Sequence, residues 1–147
     1  MKTILIALSI FSSLFFNKLA AAPLADNPAV IAAFQSRFGA AQDTEWSEVN
    51  SLYKVRFTLD GVVSNAYYNN EGGLVAITRQ VSPSNLPAKL QAALRSELAG
   101  RWITELFVME TEKGSSWFVT LQNADEKLVL QSEQGRRWTR YQSIVAL

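Results

Sequence analysis

The sequence predicts an α+β fold built as a tandem repeat, one helix plus a four-stranded antiparallel sheet occurring twice, with the helices packed on one face of the sheets. Three observations carry that expectation. Segments of helical period with marked ends lie near 26–39 and 84–100, and a period of two follows each of them, over 44–80 and over 102–142. Tyr67-Tyr68-Asn69-Asn70-Glu71-Gly72-Gly73 also has a counterpart 62 residues on, Val129-Leu130-Gln131-Ser132-Glu133-Gln134-Gly135, which points to an internal repeat.

The first stretch stands apart from the fold. Lys2 precedes an apolar run from Ile4 to Phe16, and Ala20, Ala21 and Ala22 follow, the plan of a secretory signal peptide over residues 1–22. The run is shorter than the roughly 17 to 25 residues of a spanning helix. Pro23 hinders cleavage directly after Ala22, so Ala20, Ala21 or a bond slightly downstream stay open. With no Cys after the run there is no thiol for lipid attachment, and the expected location is periplasmic or secreted. Residues 23–147 would then form the domain, with half-repeats at about 26–80 and 84–142.

Asn27 can cap free backbone N–H groups, Pro28 suits a first turn and Gly39 supplies a stop. Val30, Ile31, Phe34 and Phe38 share one face of that helix, which reads as a core face. Strands are expected near 44–49, 52–59, 62–69 and 74–80, punctuated by Asn50-Ser51, Asp60-Gly61 and Asn70-Glu71-Gly72-Gly73. Tyr53, Val55, Phe57 and Leu59 lie on one face of the second strand, and Lys54, Arg56 and Thr58 on the other. The second helix is opened by Ser84-Asn85, carries Pro87 in its first turn and stacks Leu86, Leu90, Leu94 and Leu98 before Gly100. Strands near 102–112, 115–122, 126–131 and 136–142 complete the chain.

Composition excludes most chemistry. The chain has no His and no Cys, so the usual neutral-pH base, the thiol nucleophile and the common zinc ligands are missing, and neither a cofactor nor catalysis is expected. Removing Lys2 and Lys18 leaves 12 basic against 13 acidic residues, a net charge of −1. That balance gives no footprint for nucleic acid or an anionic membrane.

Three constellations can be weighed and set aside. Ser51-Leu52-Tyr53-Lys54 has the S-x-x-K spacing, but in a turn and a strand the two side chains point apart. Glu110 and Glu112 would lie about 7 Å apart on one strand face, within the range of glycoside hydrolysis. They flank a hairpin at Lys113-Gly114, where charge usually marks an exposed end. Asn69-Asn70-Glu71-Gly72-Gly73 offers several oxygens but lacks the alternating Asp pattern and distal Glu of a calcium loop.

Aromatic residues are the positive signal. Among those in expected strands, the adjacent pairs Tyr67-Tyr68 and Trp117-Phe118 each require one member to face away from the helices. Arg136, Trp138 and Arg140 alternate on one face, either as a contact stripe or as a cation–π ladder within the fold. The candidate partner-binding surface is Lys54, Arg56, Tyr68, Phe118, Arg136, Trp138 and Arg140.

A leader, a helix ending in Phe38-Gly39, Thr44-Glu45-Trp46-Ser47-Glu48, Tyr53-Lys54-Val55-Arg56-Phe57, Tyr67-Tyr68-Asn69-Asn70-Glu71-Gly72 and Leu86-Pro87 stand in that order. In this order the chain resembles the PepSY-like, β-lactamase-inhibitor-like (BLIP-like) family of exported bacterial proteins. The resemblance implies tandem helix-plus-four-strand units. In the best-known relative two sheets make a concave surface that grips a β-lactamase, and PepSY modules are associated with peptidase propeptides and inhibition. The chain departs from that inhibitor in having no Cys, and its inhibitory loop residues find no counterpart here. What carries over is a non-catalytic protein-binding module, an inhibitor or sensor of an exported or envelope protein. The alternative is a carrier of a small apolar ligand in the curved sheet.

Overall fold

The computed structural model describes residues 26–145, so the signal peptide expected over residues 1–22 lies outside the described residues. The element order is α1 (Pro28–Arg37), β1 (Gln42–Val49), β2 (Leu52–Leu59), β3 (Val62–Tyr68), β4 (Leu74–Gln80), a 3-10 turn (Pro83–Asn85), α2 (Ala88–Glu97), β5 (Trp102–Thr111), β6 (Gly114–Gln122), β7 (Glu126–Glu133) and β8 (Thr139–Val145).

The expected tandem of two helix-backed, four-stranded sheets is overturned by how the strands connect. All eight belong to a single antiparallel sheet in the order β1 to β8, accompanied by two helices. Ile77 to Gln80 of β4 pair with Glu110 to Phe107 of β5, so β4 is an interior strand and not the border of a first sheet. A free sheet border leaves backbone donors and acceptors unpaired, and pairing β4 with β5 removes two such borders. The chain divides into two compact units, and the division at Val75 and Ala76 falls inside β4.

In the first unit, Asn27 caps α1 as its type suggests, with Oδ1 accepting from the backbone N–H groups of Ala29 (3.1 Å) and Val30 (3.3 Å). Its Nδ2 donates to the Asn70 carbonyl at 2.9 Å, tying the β3–β4 turn to the helix end. Gly72 fits that junction at φ +81, and a Cβ there would stand 2.9 Å from the Ala29 carbonyl oxygen. Val30 and Phe34 of α1 bury against Val55, Phe57, Ala66 and Tyr68, with Tyr53 and Leu59 packed alongside. Phe34 meets Trp46 and Phe57 edge-on at ring-centre distances of 5.4 and 5.2 Å.

In the second unit, Leu86, Leu90 and Leu94 bury against Leu106, Val119, Leu121, Leu128 and Leu130. Each such side chain contributes about 1.5–3 kcal/mol when fully buried. The helix start differs from expectation. Ser84 and Asn85 lie in the 3-10 turn, and α2 begins after Pro87 with no side-chain cap. Gln91 serves that turn, its Nε2 donating to the carbonyls of Ser84 (2.6 Å) and Leu86 (3.2 Å).

The last strand is also later than expected. Residues 134–138 form the β7–β8 connection and β8 starts at Thr139, with a bulge between Val129 and Leu130 in its pairing to β7. Arg136 and Trp138 therefore belong to a loop, and only Arg140 of that trio stands in a strand.

Candidate functional site

The pairing register decides which member of each aromatic pair faces a helix. Tyr53 pairs with Tyr68 and Lys54 with Tyr67, so Tyr68 lies with the core face of β2 and Tyr67 with Lys54 on the opposite face. Tyr68 is 1% exposed within the α1 core, which removes it from the candidate contact surface. Burial pushes its hydroxyl pKa above the usual tyrosine range, partly opposed by the positive charge of Arg37.

Phe118 does face away from α2, as the alternation required, because its neighbour Trp117 packs against the α2 core. It is nevertheless 1% exposed. Phe107 stacks on it at 5.2 Å and Tyr141 meets it edge-on at 5.5 Å. On the helix-free face of β5–β8, Phe107, Phe118, Thr120 and Val129 are all buried. Burial likewise raises the Tyr141 pKa. Lys54 is another correction: it sits between Ser47 and Tyr67 in the register and is 9% exposed. Side-chain alternation gives the face of a residue, and cross-strand neighbours decide whether that face reaches water.

Four candidates retain some access to solvent. Arg56 is exposed and 3.6 Å from Glu45 across the β1–β2 pair. Arg136 and Arg140 are exposed, and Trp138 is half-buried. Trp138 is held from inside, since Nε1 donates to the Leu90 carbonyl of α2 at 3.1 Å and its ring packs on the α2 core. Trp138 anchors the loop, and the guanidinium groups beside it face outward.

Sequence reasoning passed over the most exposed large apolar side chain among the described residues. Trp102, 53% exposed, opens β5 and pairs with Gln122, which pairs with Lys127, which pairs with Ile144, itself 38% exposed. Ile103 packs on the α2 core, so this row lies on the face away from the helix. Its signal in the sequence was a Trp at the strand entrance, directly after the stop at Gly100.

A second missed feature is a hollow of about 520 Å³ lined by Glu133, Gln134, Arg136, Arg137 and Thr139. The adjacent Arg136-Arg137 after Gly135 was the available clue.

The chemical alternatives find no assembled site. Glu110 is ion-paired with Arg79, whereas Glu112 lies beyond the end of β5 in the turn, so the two do not share a strand face. Ser51 is a turn residue at φ 64, and Lys54 lies buried in β2. Asn69 Oδ1 accepts from the N–H groups of Glu71 (3.0 Å) and Gly73 (2.8 Å), which uses it as a turn organiser. Among the described residues no three His, Cys, Asp or Glu side chains gather as metal ligands. Nor, among them, is any helix long and apolar enough to cross a membrane. Arg101 holds the carboxyl of Glu126 below the usual range, chiefly through a hydrogen bond.

No family model matches the chain, and no match emerges among curated proteins. Solved structures do resemble it. A BLIP-like protein from Bacteroides fragilis has a TM-score of 0.69 at 15% identity, covering 92% of this chain and 93% of its own. A DUF2874 family protein from Bacteroides uniformis gives 0.71 at 16%, with 80% and 88% covered. Another from Bacteroides ovatus gives 0.69 at 20%, with 80% and 86% covered. At these identities the likeness concerns the fold; the PepSY part of the resemblance rests on the sequence alone.

Proposed function

We propose that the chain is a non-catalytic, exported protein-binding module acting in the periplasm or outside the cell, as an inhibitor or sensor of an envelope or secreted protein. The observation that carries the reading is the row from Trp102 to Ile144, which leaves an indole and a branched aliphatic side chain in water on a strand face where Phe107, Phe118, Thr120 and Val129 are buried. With strands about 4.8 Å apart the two ends of the row stand about 14 Å from each other, with Gln122 and Lys127 between. Exposed aromatic anchors with polar neighbours are the composition of interface hot spots. Arg136 and Arg140 extend the surface, and the fold likeness to a BLIP-like protein agrees with such a role.

The ligand-carrier alternative is less well supported. On the helix-free face of the second unit Phe107, Phe118, Thr120 and Val129 are all buried, whereas exposed apolar side chains stand in the row from Trp102 to Ile144. The test is capture of an envelope protein on immobilised chain, repeated with Trp102→Ala and with Ile144→Ser. Both positions are exposed, so the variants should fold normally by circular dichroism and lose most of the captured partner. Retention of every partner by both variants would remove this surface from the account.

A further inference from the structure

The hollow at the β7–β8 connection is more than a gap between loose side chains, because its irregular backbone is fixed at four places. The Gln134 N–H donates to the Ser115 carbonyl at 3.1 Å. Gly135, at φ +69, lies so close to Pro87 and Trp117 that a Cβ would stand 3.0 Å from the Pro87 ring. Trp138 Nε1 donates to the Leu90 carbonyl at 3.1 Å, and Thr139 Oγ1 to the Gln131 carbonyl at 3.1 Å. A loop pinned in this way holds its outward side chains in place before anything binds, which lowers the entropy lost on binding.

Two guanidinium groups, those of Arg136 and Arg137, line this hollow, and neither forms an ion pair among the described residues. One carboxylate, Glu133, shares the hollow and leaves it net positive. From Arg136 to Val145 there are three Arg and no Asp or Glu. β8 is the last strand in the sheet order, so among the described residues no further strand pairs with its outer side.

We infer that β8 and the Arg136–Arg137 hollow together receive an acidic, extended segment of a partner protein, added as a further strand. Backbone groups of β8 would supply the pairing, and Arg136, Arg137 and Arg140 would select carboxylates on alternate residues of the incoming segment, about 7 Å apart. The bulge and short length of β8 weaken indiscriminate edge pairing, which places the selection on charge. The inference rests on the binding-module reading and specifies the partner's chemistry. The acidic β1 edge of a second copy, with Asp43, Glu45 and Glu48, is the competing occupant.

The experiment uses fluorescein-labelled peptides of about eight residues in anisotropy titrations with the purified protein. One peptide alternates Glu and Val, one carries Lys in place of every Glu, and one has Pro in place of two central Val. The Glu peptide should bind, the Lys peptide should not, and the Pro peptide should bind about tenfold more weakly because it cannot pair as a strand. The exposed double variant Arg136→Ala/Arg137→Ala should weaken the Glu peptide by about tenfold or more, and added salt should weaken it too. Equal binding of the Glu and Lys peptides, full binding of the Pro peptide, or unchanged binding by the double variant overturns the inference. So does concentration-dependent self-association that the Glu peptide fails to compete, since a second copy would then own the edge. A partner lost with Trp102→Ala but kept by the double variant overturns this inference and leaves the module standing; no partner for any form overturns the module itself.

Discussion

Tyr67 and Tyr68 show how much one residue of register decides. Both are apolar-bodied, adjacent and strand-forming, and both are fully buried, yet only Tyr68 joins the α1 core. Its hydroxyl has no hydrogen-bond partner there, so it bears a desolvation penalty without compensation. Tyr68→Phe is therefore expected to leave stability unchanged or raise it by about 1 kcal/mol, read from urea unfolding. The pH dependence follows from the same burial. Because the folded-state pKa of Tyr68 lies above the unfolded value, the contribution is fully present below about pH 10 and is lost as pH rises towards the folded-state pKa. Alkaline melts should show the native protein losing stability above that point, and the Phe variant losing less. Equal alkaline sensitivity of the two forms would contradict the assignment.

At the scale of elements, caps and turns were written locally, and their tertiary use was not. Asn27, a capping type ahead of Pro28, does cap α1, but its second bond, to the Asn70 carbonyl, joins segments 43 residues apart. Gly72 reads as an ordinary turn glycine until α1 is in place, when its missing Cβ becomes the condition for the helix end to approach. Gly72→Ala should destabilise the protein by at least about 1 kcal/mol, from positive φ and the contact with Ala29 together. A shift in the chemical-denaturation midpoint measures it, and a loss of less than half that size would mean that the turn relaxes freely. β8 makes the converse point. Trp138 and Arg136 alternate with Arg140 as a strand would, and the hydrogen bond to Leu90 draws the segment into a loop instead.

For the whole molecule, stability must come from packing alone, since the chain has neither Cys nor His. Thermal unfolding with a chelator, with a reductant and with neither should give the same Tm. A chelator-induced fall in Tm would reveal a structural metal that these residues do not anticipate. The eight-stranded sheet also bears on solubility, since among the described residues β1 and β8 stand at its borders. β1 carries Asp43, Glu45 and Glu48, β8 carries Arg140, and both pair with their neighbours through bulges. Charge and bulges are the usual guards of exposed strands, and on β8 the same charge becomes the basis of a selective contact.

Composition and local period by themselves determined the helices, the existence of all eight strands, most turns and the exclusion of thiol, imidazole and zinc chemistry. These depend on contacts a few residues apart or on which side chains exist at all. Tertiary structure alone decided that β4 meets β5 to make one sheet, that Lys54, Tyr68 and Phe118 are closed to solvent, and that Trp102, Ile144 and the Arg136–Arg137 hollow are open. The reason is geometric. A period of two assigns a side chain to a face, but exposure on that face depends on which residues the neighbouring strands bring alongside, and in a sheet those residues come from distant parts of the chain.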